Sequence, residues 1–262
     1  MNFLLGFIDV QNLLLVALLF LPLERLLPRR REQRMFRPAW VTDTIYFIVN
    51  RVPIGIGVVA IVVLAMVLGE RFVPGVFRTM VAGQPLWLQV IELIVVADLL
   101  FYAFHRLFHS VPLLWRFHAV HHSIEDLDWL AAHRIHPVDQ ILTKGASLIP
   151  CFTLGFTAEA ILIFSLIYQW HTLLLHANVR VSIGPLRWLI ASPEFHHWHH
   201  ADNPEAWNRN FGAQLSFWDL LFGTANMTHG TLPARYGIDE KMPASYPSQL
   251  LHPFRRKAEK TG

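Results

Sequence analysis

HRLFHSVPLLWRFHAVHH, residues 105–122, carries five of the chain's 15 histidines, and their spacing decides how the rest is read. His105 and His109 are four residues apart; His118, His121 and His122 follow as HxxHH. Residues three and four apart share a helix face, so each cluster aims two or three imidazoles at one point. The same triplet returns as His196, His199 and His200 in EFHHWHH. Two triplets and an HxxxH pair are what a site for two metal ions needs. The expectation is a metal centre built from histidines on helices, with the remainder of the chain as its housing.

Composition says where that housing sits. Hydrophobic residues make up 53% of the 262 and charged residues 16%, and the mean hydropathy is +0.37, too apolar for an ordinary soluble domain. One domain, or two at most, fits the length. The formal charge of +3 is small and its basic residues are bunched; nucleic acid binding would want a continuous basic surface and a known module. Cys151 is the only cysteine, which removes disulfides within the chain and thiolate zinc sites and leaves nitrogen as the ligand type.

Working outward from the histidines, residues 86–104 form an apolar run that leads without a break into His105. Upstream, residues 3–21 approach the length that spans a bilayer core, about 20 residues, weakened by Asp9, Gln11 and Asn12. No basic stretch precedes this run, which argues against a cleaved signal peptide. Arg25, Arg29, Arg30, Arg31, Arg34 and Arg37 follow it, and the positive-inside rule makes their loop cytoplasmic. A second run covers residues 44–68. Downstream, residues 141–156 and 158–175 are short for crossings and read as a helical hairpin that enters and returns on one side, with Gly155 near its tip. The last part is polar and proline-rich and ends in Arg255, Arg256, Lys257 and Lys260.

The expected architecture is therefore all-α: a polytopic membrane helical bundle of about three full spans plus the hairpin, under a cytoplasmic histidine-rich helical cap. Residues 1–262 form one integral membrane domain, divided into membrane helices (1–104), the histidine motifs with the hairpin (105–224) and a C-terminal tail (225–262). Counting crossings from an outside N-terminus puts His105–His136, His176 and His196–His200 on the same face, so the clusters are free to meet.

Neutral imidazole binds iron, copper, zinc and nickel, whereas magnesium and calcium want oxygen. A catalytic zinc typically takes three protein ligands, fewer than the eight histidines clustered here; two metals with four or five nitrogens each is the natural count. HExxH is absent, which disfavours that type of zinc protease.

HRLFH, then HAVHH, then a later HxxHH running into NRNFGAQLSFWDLLFGT, resemble the fatty acid hydroxylase/sterol desaturase superfamily of membrane oxygenases. HRLFHSVPLLWRFHAVHHS is similar to the alkylglycerol monooxygenase branch and its bacterial relatives. The resemblance covers residues 105–224 in motif order, spacing and the terminal WDxxFGT signature. It implies a non-haem di-iron centre that activates O2 and inserts oxygen into a lipid C–H bond or removes hydrogen from it. Carried over by position, the metal ligands are His105, His109, His118, His121, His122, His196, His199 and His200, with His176 in HANVR as the ninth. His136, in HPVD, and His171 are additional candidates; five residues from His171 to His176 turn a helix by about 500°, so the two side chains diverge by about 140°. Zinc is able to substitute for iron.

Breaking an unactivated C–H bond is the metal's chemistry, while the protein supplies geometry, a dry pocket and hydrogen bonds to the outer imidazole nitrogens. Candidates for that supporting role are Asp98 and Asp219, with Glu194 and Asp202 beside them. Asp98 precedes His105 by seven residues on one helical face, and an acid in a membrane helix is functional by default; its bland alternative is an ion pair with an arginine. His197, between ligand positions, should face away. His133, His229 and His252 read as capping or surface groups. The tryptophans read as interfacial anchors, with Trp115, Trp129 and Trp198 as possible site walls, Cys151 as packing and WDxxFGT as a structural helix end.

The function expected is hydroxylation of a lipid-like substrate (sterol, fatty acyl chain, ether lipid or carotenoid) reached from the bilayer. No GxGxxG or CxxCH occurs, so electrons must come from a separate donor protein. The alternatives are desaturation on the same scaffold, a zinc-dependent membrane hydrolase, and a metal-binding membrane protein without turnover. Short loops lean towards a bacterial inner membrane, or the ER membrane in a eukaryote.

Overall fold

The computed structural model describes residues 10–255. Residues 3–9 of the first apolar run and the basic residues Arg256, Lys257 and Lys260 lie outside the described residues. Among those described, the chain is helical with no extended strand. The helices are α1 (Val10–Leu26), α2 (Trp40–Val49), α3 (Arg51–Phe72), α4 (Gly75–Ala82), α5 (Leu86–Ser110), α6 (Pro112–His122), α7 (Pro137–Thr153), α8 (Ala158–His176), α9 (Pro193–His199), α10 (Phe217–Leu221) and α11 (Tyr246–Leu251).

Three of them, α3, α5 and α8, are long and apolar enough to cross a membrane. Along α3, Ile56, Val59, Val63, Leu64 and Val67 are all exposed, as a lipid-facing helix requires. The second apolar run does not form one helix from residue 44 onward: α2 ends at Val49 and α3 begins at Arg51. Pro53 is the physical reason, because it has no N–H to return to the Val49 carbonyl. Asn50 stabilises the joint, donating from Nδ2 to the Ile135 carbonyl at 2.7 Å and accepting from the Tyr246 hydroxyl at 2.8 Å.

The α7–α8 hairpin starts and ends at the histidine end, with its turn at Gly155, as expected. It reaches deeper than two short half-crossings would. The Thr157 amide at its tip donates to Gln89 Oε1, near the opposite end of α5, and a β-carbon at Gly155 would lie 2.6 Å from the Arg78 backbone. Gly155 has φ +97°, which glycine alone adopts readily. Small residues bring α7 against α3: a β-carbon at Gly69 would stand 2.8 Å from Thr153 Cα. Close backbone approach of this kind is how membrane helices gain packing energy without a hydrophobic driving force.

Local signals at the other end aim the histidines. Pro112 stops α5 and opens α6 at its first position, a place proline tolerates, so the two helices meet at an angle. Ser192 caps α9 by accepting from the Phe195 amide, again with proline first in the helix. The cap is anchored below by a buried network: Arg37 grips Asp128 and Asp43, and Arg134 grips Asp43 at 2.6 and 2.9 Å.

Candidate metal centre

Nine histidines converge where the ends of α5, α6, α8 and α9 meet. They fall into two adjacent groups, His105, His109, His118, His122 and His199 in one, His121, His176, His196 and His200 in the other, with the candidate ligand atoms of each group within 4.8 Å of one another. The groups touch: the rings of His122 and His200 stack across them at 4.6 Å, and those of His196 and His199 at 5.4 Å. All nine but His109 are buried, and His109 is half-buried.

The hydrogen bonds on the outer ring nitrogens settle which tautomers fit. His105 Nδ1 donates to the Phe211 carbonyl at 2.7 Å, His121 Nδ1 to Arg134 at 3.0 Å, His176 Nδ1 to Thr172 at 2.9 Å and His199 Nδ1 to Arg209 at 2.7 Å. His118 Nδ1 donates to the Asp139 carboxylate at 2.7 Å. A carbonyl only accepts, so the four rings held by carbonyls, when neutral, carry their proton outward and present a bare Nε2 inward. Yet the inward nitrogens crowd together: His105 and His118 Nε2 are 3.0 Å apart, His121 and His176 3.2 Å, and His176 and His196 2.9 Å. Where carbonyls pin both rings, as for His121 and His176, lone pairs face each other and the contact is repulsive unless a cation lies between them. His109 Nε2 and His199 Nε2 are buried with no hydrogen-bond partner at all. The donor set therefore fits nitrogen-loving metal ions.

Electrostatics agree. Burial first, and the neighbouring imidazoles second, hold His118, His122, His196 and His200 well below the ordinary histidine value. Burial also lowers His121 and His199. These six rings are neutral at physiological pH, the form that binds metal.

The other sequence candidates have different partners. His171 uses both nitrogens, Nδ1 with Gln214 Oε1 and Nε2 with the Ala191 carbonyl. His136 caps α7, its Nδ1 accepting from the Val138 amide while Nε2 donates to the Leu250 carbonyl. Neither belongs to the two groups. His197 faces away, bonded to the Tyr236 hydroxyl and the Ala177 carbonyl. Asp98 and Asp219 touch no imidazole. Asp98 accepts from the amides of Ala213, Gln214 and Leu215, and Asp219 from those of Phe211 and Gly212. Together they clamp the loop whose Phe211 carbonyl holds His105. No arginine pairs with Asp98 among the described residues. Glu194 binds Arg29 and His229, and Asp202 binds Arg235, so both lie outside the centre. His252 pairs with Glu240, while His133 packs edge-on against Phe47 with its Nε2 buried and unpartnered. Of the tryptophans, Trp115 lines the site, 5.1 Å from His109; Trp129 packs in the α1–α8 core.

Asp139 is the residue that sequence reasoning missed. Its signal was available: an acid in the first turn of a helix opened by HP, where the helix dipole favours negative charge.

An apolar helical bundle whose converging ends carry two neighbouring sets of buried, neutral imidazoles defines an integral membrane protein able to hold metal ions. The chain belongs to the fatty acid hydroxylase family, whose sequence model matches residues 90–224. It is 34% identical over 176 residues to the ornithine lipid hydroxylase OlsE of Rhizobium tropici, covering 67% of this chain and 53% of that protein. It is 32% identical over 128 residues to the alkylglycerol monooxygenase of Xenopus tropicalis and 34% over 129 residues to that of Homo sapiens, in each case 48% of this chain and 28% of the relative. The chain thus spans about half the length of the first relative or less of the others. No solved structure matches it.

Proposed function

We propose that the protein is a membrane-bound non-haem di-iron oxygenase that hydroxylates a lipid-like substrate, using O2 and electrons from a separate donor protein. The observation that carries this reading is the paired grouping of five and four histidines with their inner nitrogens turned towards one another. The names of the relatives, a lipid hydroxylase and monooxygenases of an ether lipid class, point the same way.

In this reading the five-histidine group holds one iron and the four-histidine group the other. Iron held there would supply O2 activation, with one oxygen atom going to the substrate C–H bond and the other to water at the expense of two electrons and two protons from outside. The chain's own residues do the rest. The carbonyls of Phe211, Arg134, Thr172 and Arg209 fix four imidazoles in the ligand tautomer. Asp139 holds the outer nitrogen of His118, and ionised beside a bound cation it would raise the basicity of that ligand. Asp98 and Asp219 act as positioning residues by holding the loop that supports His105. Buried apolar packing around the centre keeps bulk water out. The arginine-rich loop lies at the same end, Arg29 bonding Glu194 and Arg30 the Asn178 side chain, which supports a cytoplasmic centre by the positive-inside rule.

The test is reconstitution of metal-free protein with ferrous iron, an electron donor and candidate lipids, with products read by mass spectrometry. Gain of one oxygen, dependent on O2 and on about two irons per chain, is expected. Loss of two hydrogens would make it a desaturase, and turnover under strict anaerobiosis with zinc would replace the oxygenase reading with a hydrolase.

A further inference from the structure

A cavity of about 360 Å³ lies between α1, the loop that follows it and the segment around Trp129. None of the nine clustered histidines lines it. One wall is apolar: Leu13, Ala17 and Leu21 recur every four residues along one face of α1, and the stripe continues at the next such step as Arg25. Arg31 and Arg34, from the following loop, complete the rim. These three arginines are exposed and pair with nothing among the described residues.

The cavity's own acids do not neutralise them. Glu24 Oε1 is taken up by the amides of Trp129 and Asn178, at 3.0 and 2.9 Å, and Asp128 is gripped by Arg37 through both oxygens at 2.6 and 2.7 Å. Two further lining groups hold buried atoms without a partner, Arg30 Nε and Gln33 Oε1. Gln33 is oriented by its Nε2, which donates to the Leu127 carbonyl at 2.8 Å. A fitting ligand therefore has a negative head that accepts several N–H bonds, a donor such as a hydroxyl within reach of Gln33, and an apolar tail for the α1 stripe.

We propose that this cavity binds one anionic phosphodiester lipid, its phosphate among Arg25, Arg31 and Arg34 and one acyl chain along Leu13, Ala17 and Leu21. Charge complementarity and position argue for a bilayer lipid over a free anion. Leu14 and Leu18 on the same helix are exposed, as is Phe36 beside the arginines, so the basic rim sits where an apolar surface meets a polar one. Guanidinium groups near a membrane surface gain about a factor of five in affinity for anionic lipid apiece. The inference does not rest on the oxygenase reading, since no group in the cavity is a candidate metal ligand.

Native mass spectrometry of the full chain in uncharged detergent, offered phosphatidylglycerol, phosphatidylcholine or inorganic phosphate, tests it. The wild type should retain one phosphatidylglycerol with at least about tenfold preference over phosphatidylcholine. The triple variant R25Q/R31Q/R34Q should lose that preference, and Arg31→Gln alone, at an exposed loop position, should weaken it about fivefold. Ala17→Trp, which fills the apolar wall and leaves every arginine in place, should lower phosphatidylglycerol retention as well. Equal retention of the two lipids by the wild type, or an unchanged preference in the arginine variants, overturns the proposal. If inorganic phosphate binds as well as the lipid and Ala17→Trp has no effect, the cavity is an anion site and the lipid assignment is wrong.

Discussion

The two HxxHH triplets share a pattern and are used in opposite senses. In α6, His118 and His122 join the five-histidine group while His121 turns to the other; in α9, His196 and His200 join the four-histidine group while His199 crosses back. Helix geometry explains the exchange. A step of four residues returns to within about 40° of the start, whereas a step of three falls about 60° short on the opposite side. One triplet therefore feeds an i, i+4 pair into one group and its i+3 member into the next. The groups differ in what is added: the first gains His105 and His109 from α5, the second only His176 from α8. Two centres built in this way share both helices, each taking one histidine from the triplet that mainly serves the other.

The strongest way to break this comparison is to remove a crossing member. His121→Ala takes a nitrogen from the four-histidine group while leaving the α6 pair of the other group intact. Oxygen-dependent product should fall by more than about a hundredfold, with iron per chain reduced and membrane insertion unchanged. A variant that keeps full iron and full turnover would show that the crossing histidine is not a ligand.

The outer contacts sharpen the difference between the groups. Among the described residues only the five-histidine group has a carboxyl group as an outer partner, Asp139 on His118; the outer contacts resolved in the second group are backbone carbonyls. Asp139→Asn preserves shape and removes the ionisable carboxyl, and should cost about 10–100-fold in activity or iron affinity. The loss should be confined to one iron of the pair, read as a change in iron stoichiometry from two towards one.

How far the sequence revealed this is itself uneven. The triplets and the HxxxH pair were legible because i, i+3 and i+4 spacing carries over directly to a helix face, whereas His176 was implied only by the family resemblance. The distribution of His121 and His199 to opposite groups was not, because it depends on how α6 and α9 are set against each other. Asp139 escaped because its partner lies 21 residues away, joined through a bend that no local pattern encodes. Asp98 was visible as an acid in a membrane helix, but its three amide donors come from a loop more than a hundred residues downstream. The fold was clearer than its joints. Apolar runs marked most of the long helices, while the proline-driven break at Asn50 and the full depth of the α7–α8 hairpin required tertiary contacts.

The neutral state of both groups gives a pH dependence whose sign is fixed. His118, His121, His122, His196, His199 and His200 lie well below 6.5 in the folded protein. Below 6.5 the unfolded chain therefore binds more protons than the folded one, and stability falls as pH drops. Burial raises Asp139 to about 8, which acts in the opposite direction between its unfolded value and 8. Glu24, raised by burial to about 7, acts the same way as Asp139, and the six lowered histidines outnumber these two acids. Chelator-treated protein should lose thermal stability from pH 6.5 to 5, and a midpoint that rises over that interval would contradict the buried neutral cluster.

Far from the histidines, Gly69→Ala tests the frame alone. Its new β-carbon would meet Thr153 Cα at 2.8 Å and the Thr153 carbonyl oxygen at 2.9 Å, both backbone atoms that cannot rotate away. Separating α3 from α7 should cost roughly 1–3 kcal/mol, seen as a lower thermal midpoint in detergent. Iron per folded chain should be unchanged, because the contact lies at the opposite end of both helices from the metal centre.

His252 sets the floor for the comparison. It bears the same side chain as the nine clustered residues, but its Nε2 meets Glu240 at 3.2 Å near the surface, away from both groups. Such a pair contributes about 0–1 kcal/mol, and no inward nitrogen is lost with it. His252→Ala should therefore leave iron content and turnover at wild-type values and shift the thermal midpoint by no more than about 2–4 °C. Measured beside His121→Ala, it separates what imidazole does by converging on a shared point from what imidazole does by being present. Equal losses from the two variants would mean that convergence is not what the site depends on.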